Sequence, residues 1–408
     1  MPVTVEEALA RIHAHRPKLR REFIPIEEAI GRVLAQDVTA RYNLPPFDNS
    51  AMDGYAVISS DSGKRVLAEH TIFAGDREQI RIAEGQAARI MTGARIPEGT
   101  ECIVPIEEVT VEGEHVTLPS PLRAGQHIRL CGEDIQTDDT LLTTGDTLSA
   151  YHITLLASQG ITHVCVYHRP RVAIFASGSE LKMHHEQVAP YQLYNTNSPT
   201  FAARAAELEC DVHFVGTAAD TLDALLEHID SALQSDLIIT SGGVSVGDAD
   251  YTKEAFTHFS FIPLFEKVDL KPGKPTTVGT IGDTLVLNLP GNPMAAALCF
   301  ELFGQALIAS LSGTNAPFHN SITARMKHAY NVRPGRRTLL PGYYDGNHFT
   351  VCEKFAPGMI TPLALSNGFI MLDEACSAVA QEAEVRFIPT RFVWRSGSAV
   401  SLVSTPEA

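Results

Sequence analysis

The chain has 408 residues, enough for two to four domains, and its 44% apolar and 20% charged residues are the balance of an ordinary globular protein. Its 48 acidic and 32 basic residues leave a net charge of −16 spread along the chain. That charge disfavours nucleic acid or an anionic membrane as partner, yet leaves room for a small anion where lysines gather. Seven scattered cysteines without a C-x-x-C pair argue against a disulfide framework or a zinc ribbon.

The longest apolar run, Met294 to Phe300, is interrupted by Glu301, and the N-terminus carries early glutamates in place of an apolar leader. A cytoplasmic protein without a membrane span is therefore expected. "VEEALARIHAH" and "IEEAIGRVLAQDV" carry apolar residues at helical spacing and predict two helices within residues 4–36. The prolines and polar cluster of "RYNLPPFDNSAMDGYAV" then lead into a new unit. Over residues 55–138 short apolar segments alternate with turn residues, and "AARIMTG", "CIVPIEEV" and "EHVTLPS" predict strands of a small β-rich domain. Residues 148–160 return to helical spacing, and "VCVYHRP" predicts a strand.

From Arg171 strands and helices alternate. The strand "RVAIFAS" precedes a helix in "NSPTFAARAAELE", with Ser198 as its cap and Pro199 as its first residue. The strand "DVHFVGTAAD" precedes a helix with Leu222, Leu225, Leu226, Ile229 and Leu233 on one face, and "DLIITSGG" is the next strand. Such alternation predicts a parallel sheet covered on both faces. "TLVLNLPGNPMAAALCFELFGQALIASL" adds a strand, a turn with Asn292 as cap and Pro293 as first helical residue, and a long buried helix. Short strands punctuated by Pro and Gly over residues 320–405 predict a compact β-barrel or sandwich.

Ligands of parallel sheets bind beyond the C-terminal strand ends. Four loops take such positions here: "SGSEL", "TAAD", "TSGGVSVGDAD" and "LPGNP". In the third, Gly242, Gly243 and Gly247 let the backbone approach a ligand, and consecutive amides can cradle an oxyanion. Asp248 and Asp250 then supply hard oxygen ligands suited to magnesium held between protein and phosphate. The plain alternative is a glycine turn with Asp250 capping the helix near Tyr251.

Period-two alternation in "FEKVDLKPGKP" predicts one strand face carrying Phe265, Lys267, Asp269 and Lys271, with Pro272-Gly273 turning Lys274 back toward Lys271. Two or three ammonium groups would then converge on an anion; the alternative is a solvated edge strand guarded by lysines. Asp220 reads by itself as a helix cap and Glu180 as an exposed carboxylate. Asp48, Asn49, Ser50 and Asp53 crowd a loop between Phe47 and Met52, which an Asx-turn would also explain. Thr92 tips the loop "RIMTGARIPEG", and Glu133 and Asp134 follow Gly132. His184 and His185 lack further spaced ligands and read as surface residues, and no Ser-His-Asp arrangement can be assembled locally.

Together, "FDNSAMDGYAV", "MTGARIPEG", "GEDI", "TSGGVSVGDADYTKEA", "KPGKP" and "LPGNP" resemble, in that order, the MoeA-type molybdopterin molybdenumtransferase family, related to the E domain of gephyrin. The resemblance covers nearly the whole chain. It implies a multidomain α/β fold: an elongated linker and dimerisation domain from residues 1–42 and 139–169, a β-rich domain at 43–138, an α/β molybdopterin-binding domain at 170–316, and a C-terminal β-barrel at 317–408. The α/β domain would have the parallel-sheet α/β/α form of the molybdopterin adenylyltransferase. The resemblance also implies a homodimer whose site lies between the α/β domain of one subunit and other domains of its partner. The reaction implied is insertion of molybdate into adenylylated molybdopterin with Mg²⁺-dependent release of AMP. The adenylyltransferase and apo-molybdoenzymes are the further partners it suggests.

Carried over by motif, Asp53, Asp134, Asp250, Lys271 and Lys274 would do the chemistry, with Asp250 and Asp248 holding Mg²⁺. Thr92, Glu180, Asp220, Ser241, Gly242, Gly243, Ser245, Lys267, Pro290 and Pro293 would bind substrate. The chain departs from the family near its end. Pro341 stands where the family carries an oxyanion-holding arginine, with Arg336 and Arg337 nearby; Pro357 replaces a serine, and Thr361-Pro362 replace a serine pair. Proline donates no hydrogen bond. Two readings therefore stand: a transferase whose oxyanion contact has moved, through Arg336 or Thr361, or a non-catalytic molybdopterin-binding scaffold or carrier. A phosphoanhydride hydrolase on the same α/β domain would leave the other motifs unexplained.

Overall fold

In the computed structural model, which describes residues 1–243 and 251–391, backbone contacts divide the chain into two units. Gln36–Thr144 with Ala150–Thr162 forms the smaller; Met1–Ala35, Gly145–Ser149 and the chain from His163 onward form the larger.

The smaller unit is built on a six-stranded sheet in the spatial order Cys102–Pro105, Gly54–Val57, Gln86–Ile90, Arg65–Ile72, His115–Thr117, Thr110–Glu112. Strand Gly54–Val57 is buried along its whole length because both of its faces are covered. Tyr55 and Val57 join Val104 and Val116 on one side, while Ala56 joins Ala88, Ile90 and Ile103 on the other, as the two-residue period of a strand requires. Helix Ala150–Ser158 lies within the stretch that the sequence marks as helical.

The larger unit carries a six-stranded sheet in the order Asp211–Ala218, Arg171–Ser177, Leu237–Ser241, Thr284–Leu289, Thr277–Ile281, Ile262–Phe265. Its first four strands are parallel, and Thr277–Ile281 pairs antiparallel with both of its neighbours, so the sheet is mixed at one edge. Only Gly282 and Asp283 separate Thr277–Ile281 from Thr284–Leu289, and a hairpin is the sole connection that so short a link allows. Ile174, Ile239 and Leu287 face helices Val5–Ala14, Asn197–Glu207 and the long helix from Pro293, while Ala173, Phe175, Ile238 and Val286 face helices Leu222–Ala232 and Tyr251–His258. Helix Val5–Ala14 starts on a capping box between Thr4 and Glu7.

Among the described residues one helix, Pro293–Ser312, is long and apolar enough to cross a membrane, yet 83% of its apolar window is buried in the protein. It is a core helix. Glu301 on it pairs with Arg204 through two hydrogen bonds of 2.7 and 2.8 Å and accepts a third from Gln305. The C-terminal barrel consists of Ile322–Met326, Arg337–Tyr344, His348–Val351, Gly368–Leu372 and Glu384–Pro389, closed by pairing of Arg337–Tyr344 with Gly368–Leu372 around Phe349, Ile370 and Phe387.

Three local expectations change. "IEEAIGRVLAQDV" forms no α-helix: a single 3-10 turn, Ile26–Glu28, ends near Gly31 at φ +78°, after which Val33 and Leu34 bridge Thr147 and Val166. Sheet-type pairing wins there over helical spacing. Helix Asn197–Glu207 begins before Ser198, with Thr196 at the cap and Pro199 in its third position. Asn195 does the capping instead, accepting the Ser198 N–H at 3.1 Å. Finally, "FEKVDLKPGKP" is not one strand: Ile262–Phe265 belongs to the α/β sheet, whereas Leu270–Lys271 pairs in parallel with barrel strand Arg337–Tyr344. Phe265 is buried and so does not share the exposed face of Lys267 and Lys271.

Candidate anion-binding site

The four loops converge at the C-terminal edge of the parallel strands. The first two are knitted by a reciprocal pair: Ser179 N–H donates to Asp220 Oδ2 at 3.0 Å, and Asp220 N–H donates to Ser179 Oγ at 3.1 Å. Asp220 is therefore not the helix cap that its position suggests; Thr221 is, accepting from Ala224 N–H. Glu180 is exposed beside this pair, its carbonyl accepting from Leu193 N–H at 2.9 Å.

The third and fourth loops meet across Asn197, a buried residue to which the sequence reading assigns no role. Its Nδ2 donates to Ser241 Oγ at 3.2 Å and to the Gly291 carbonyl at 2.9 Å. The polar run "YNTNSP" ahead of a helix is the only sequence signal for it. Gly242 has φ +99°, and a Cβ there would lie 2.3 Å from the Ser177 carbonyl oxygen; at Gly243, with φ +60°, a Cβ would lie 1.8 Å from Thr252 Oγ1. Both glycines are thus required by backbone conformation and by close approach. Among the described residues, Ser177 Oγ, Thr240 Oγ1 and Asn288 Oδ1 are buried here without a hydrogen-bond partner, a polar floor under the glycine turn. Ser245, Gly247, Asp248 and Asp250 lie outside the described residues.

The lysines sit on an excursion between Phe265 and Thr277. It is closed at its base by Thr277 Oγ1 donating to the Glu266 carbonyl at 3.0 Å and by Val268 N–H donating to the Lys274 carbonyl at 3.0 Å. The second bond returns Lys274 to the Lys267 side of the loop. Val268 and Leu270 are buried while Lys267 and Lys271 are exposed, so apolar residues anchor the excursion and the ammonium groups face outward. Val3 holds it from outside, donating to the Lys267 carbonyl at 2.9 Å and accepting from Asp269 N–H at 2.8 Å. Gly273 packs on Cys299, on the helix that leaves the fourth loop. Pro290 is buried and Pro293 half-buried in that loop.

In the smaller unit, residues 48–53 run between two further loops. Asp53 Oδ1 accepts both the backbone N–H and the hydroxyl of Thr92 at 2.7 Å, and these bonds hold the exposed carboxyl below its usual range, opposed by burial and aided by Arg89. Asp48 Oδ1 accepts Cys131 N–H at 2.7 Å, and exposed Asp134 donates its N–H to the Leu44 carbonyl at 3.0 Å. Asp53, Thr92 and Asp134 thus occupy loops joined through one segment. His184 and His185 are exposed, edge to face at 5.6 Å, and no group of three or more metal-ligating side chains occurs among the described residues.

Comparison with known proteins accounts for this arrangement. Residues 3–160 match the family described as the MoeA N-terminal region (domain I and II), residues 173–310 a probable molybdopterin binding domain, and residues 323–390 the MoeA C-terminal region (domain IV). The molybdopterin molybdenumtransferase of Haemophilus influenzae is 35% identical over 401 residues, covering 95% of this chain and 98% of its own. The chain belongs to the MoeA family. A second MoeA relative, the molybdopterin molybdenumtransferase of Staphylococcus epidermidis, is 35% identical over 340 residues, 81% of each chain. The MoeA fold agrees as well: a molybdopterin biosynthesis MoeA protein from Pyrococcus horikoshii superposes with a TM-score of 0.84 at 25% identity, covering 95% of this chain and all of that one.

Within this MoeA chain the three prolines of the departure take distinct places. Pro341 is buried in strand Arg337–Tyr344 opposite Phe369. The Pro357 carbonyl accepts the Met294 and Ala295 N–H groups at 2.9 and 3.4 Å, filling the start of helix Pro293–Cys299, where Asn292 makes no side-chain cap. Pro362 is buried just inside helix Thr361–Leu365, whose first residue, Thr361, is exposed.

Proposed function

We propose that this protein catalyses the molybdenum-insertion step of molybdenum cofactor biosynthesis, joining molybdate to adenylylated molybdopterin with Mg²⁺-dependent release of AMP. Kinship with curated molybdopterin molybdenumtransferases over nearly the whole chain supports the activity. The observation that carries the substrate class is the tight packing of Gly242 and Gly243 against Ser177 and Thr252, with no space for a Cβ at either, together with a loop that exposes Lys267 and Lys271.

In this reading the glycine turn and the amides around it receive phosphate, and Lys267, Lys271 and Lys274 attract and hold the anionic groups. Asp220 accepts the Ser179 N–H and orients the first loop. The Ser177, Thr240 and Asn288 atoms that have no partner among the described residues offer hydrogen bonds to substrate or water below the turn. Asp248 and Asp250 would hold Mg²⁺, an ion that keeps waters and phosphate oxygens among its ligands and so needs few from protein. When bound, it polarises phosphoryl oxygen and neutralises developing charge. Asp53, kept ionised by Thr92, and Asp134 come from the partner copy of a homodimer and orient water or substrate.

Turnover with adenylylated molybdopterin, Mg²⁺ and molybdate tests the proposal. AMP release together with cofactor that activates an apo-molybdoenzyme is expected, and loss of AMP release in Asp250→Asn. Tight substrate binding with no AMP release would overturn the catalytic assignment in favour of a carrier.

A further inference from the structure

The lysine excursion contains a charge that opposes its purpose. Three lysines, 267, 271 and 274, share it with Glu266 and Asp269, and Asp269 lies between two of the lysines. It is also the middle residue of a tight turn, Leu270 N–H donating to the Val268 carbonyl at 2.9 Å, with buried neighbours on both sides and its own side chain 46% exposed. A carboxylate at this place repels any anion the lysines attract.

The barrel supplies the counterweight. Strand Leu270–Lys271 pairs in parallel with Arg337 and Thr338, which brings Arg336 alongside Asp269, and Arg336 Nε stands 3.6 Å from Asp269 Oδ1. The adjacent arginine cannot substitute: Arg337 is engaged by Glu6 and by Glu374 at 3.4 Å, and only 22% of its side chain is exposed. Arg336, with 45% of its side chain exposed, faces the excursion alone of the two.

We propose that Asp269 and Arg336 form a compensating pair that sets the anion affinity of the lysine excursion, Asp269 weakening it and Arg336 restoring it. This inference rests on the lysines being the anion site. An exposed ion pair adds little stability, so the role is electrostatic and separable from folding. One charge within a Debye length of a divalent oxyanion changes its binding by roughly two- to six-fold.

The test is calorimetric titration of molybdate into the full-length protein and four variants, at low salt and again at about 0.5 M salt, where screening shortens the reach of a charge to a few ångströms. At low salt Asp269→Asn should tighten binding, Arg336→Gln should weaken it, and the double variant should return close to the native affinity; the differences should shrink at high salt. Lys271→Gln separates the two levels of the claim. If it weakens binding while neither member of the pair has any effect, the pair is not a regulator and this inference fails. If Lys271→Gln leaves molybdate affinity unchanged, the lysines are not the anion site and the underlying reading fails. Weakening by both Asp269→Asn and Arg336→Gln would mark the pair as structural and overturn the proposal equally.

Discussion

Gly273→Ala is a substitution on which the structure makes a definite demand. The residue has φ +120°, and a Cβ would stand 2.2 Å from Cys299 Sγ. Ordinary contact is near 3.5 Å or beyond, so the gap must open by roughly 1.3 Å or more. Cys299 cannot yield toward solvent: it is fully buried, and burial pushes its thiol up to about 12, with a Thr276 hydrogen bond opposing. Overpacking of about 1–3 kcal/mol and a strained backbone of about 1–2 kcal/mol combine to a loss of roughly 2–5 kcal/mol. For a cooperative unit the size of the larger one that corresponds to a fall in melting midpoint of roughly 3–8 °C. Circular dichroism melts of Gly273→Ala, Cys299→Ala and the double variant measure it, with molybdate titration as a second readout because the displaced turn carries Lys271 and Lys274. Removing the sulfur costs about 1–2 kcal/mol by itself but relieves the clash, so the double variant should lose at least about 1 kcal/mol less than the sum of the singles. Strict additivity would refute the steric account, and a fully stable Gly273→Ala would refute the packing of the turn on the helix.

Thr92→Val removes one of the two bonds to Asp53 and should move that carboxyl's protonation to higher pH, read by side-chain NMR titration. The sign follows from linkage: a depressed folded pKa stabilises above the unfolded value and loses that stability as pH falls through the folded one, so the variant loses its share at a higher pH. His13 works in the neutral direction. Burial, followed by His319 and Arg16, holds its pKa below 6.5. The unfolded chain therefore binds the proton first, and stability declines as pH falls below about 6.5. In His13→Leu the fall in urea midpoint between about pH 7.5 and pH 5.5 should be smaller than in the native protein. Arg204→Met strands buried Glu301 and should cost about 3 kcal/mol in urea unfolding, whereas Arg204→Met/Glu301→Leu should recover most of it.

The sequence makes much of this arrangement legible, and the failures share a cause. Strands and helices from Arg171 to Ser241 follow local periodicity, because their apolar faces are fixed by one sheet. The Leu225 and Ile229 face of helix Leu222–Ala232 packs as its spacing indicates. What local pattern cannot carry is pairing between distant segments. Val33 and Leu34 are drawn from a helical spacing into bridges with Thr147 and Val166, and Leu270–Lys271 leaves its hairpin neighbours for a barrel strand. Asp220 shows the same limit at one residue: its position before a helix suggests a cap, but a serine 41 positions away takes its carboxylate. The glycines announce the site in the sequence; Asn197, which ties two loops together, does so through contacts with residues 44 and 94 positions further on.

The C-terminal prolines show what a substitution keeps as well as what it removes. Proline has no N–H but retains its carbonyl, and the carbonyl of Pro357 is what fills the start of helix Pro293–Cys299. Those two helix donors are committed, so an oxyanion has no claim on them. Pro341 lies opposite Phe369, and Phe369 belongs with Leu339 to the apolar seam joining barrel and α/β core. An unpaired guanidinium buried against that seam would carry a heavy desolvation cost. Under the proposed reading Arg336, half-exposed at the entrance of the same strand, takes the place of such an arginine. Charges that hold an anion from exposed positions are screened far more readily than buried ones. Molybdate affinity in this protein should therefore fall more steeply with salt than in a MoeA relative that retains the arginine, and equal salt slopes in the two would show that Arg336 and the exposed lysines are not where the oxyanion is held.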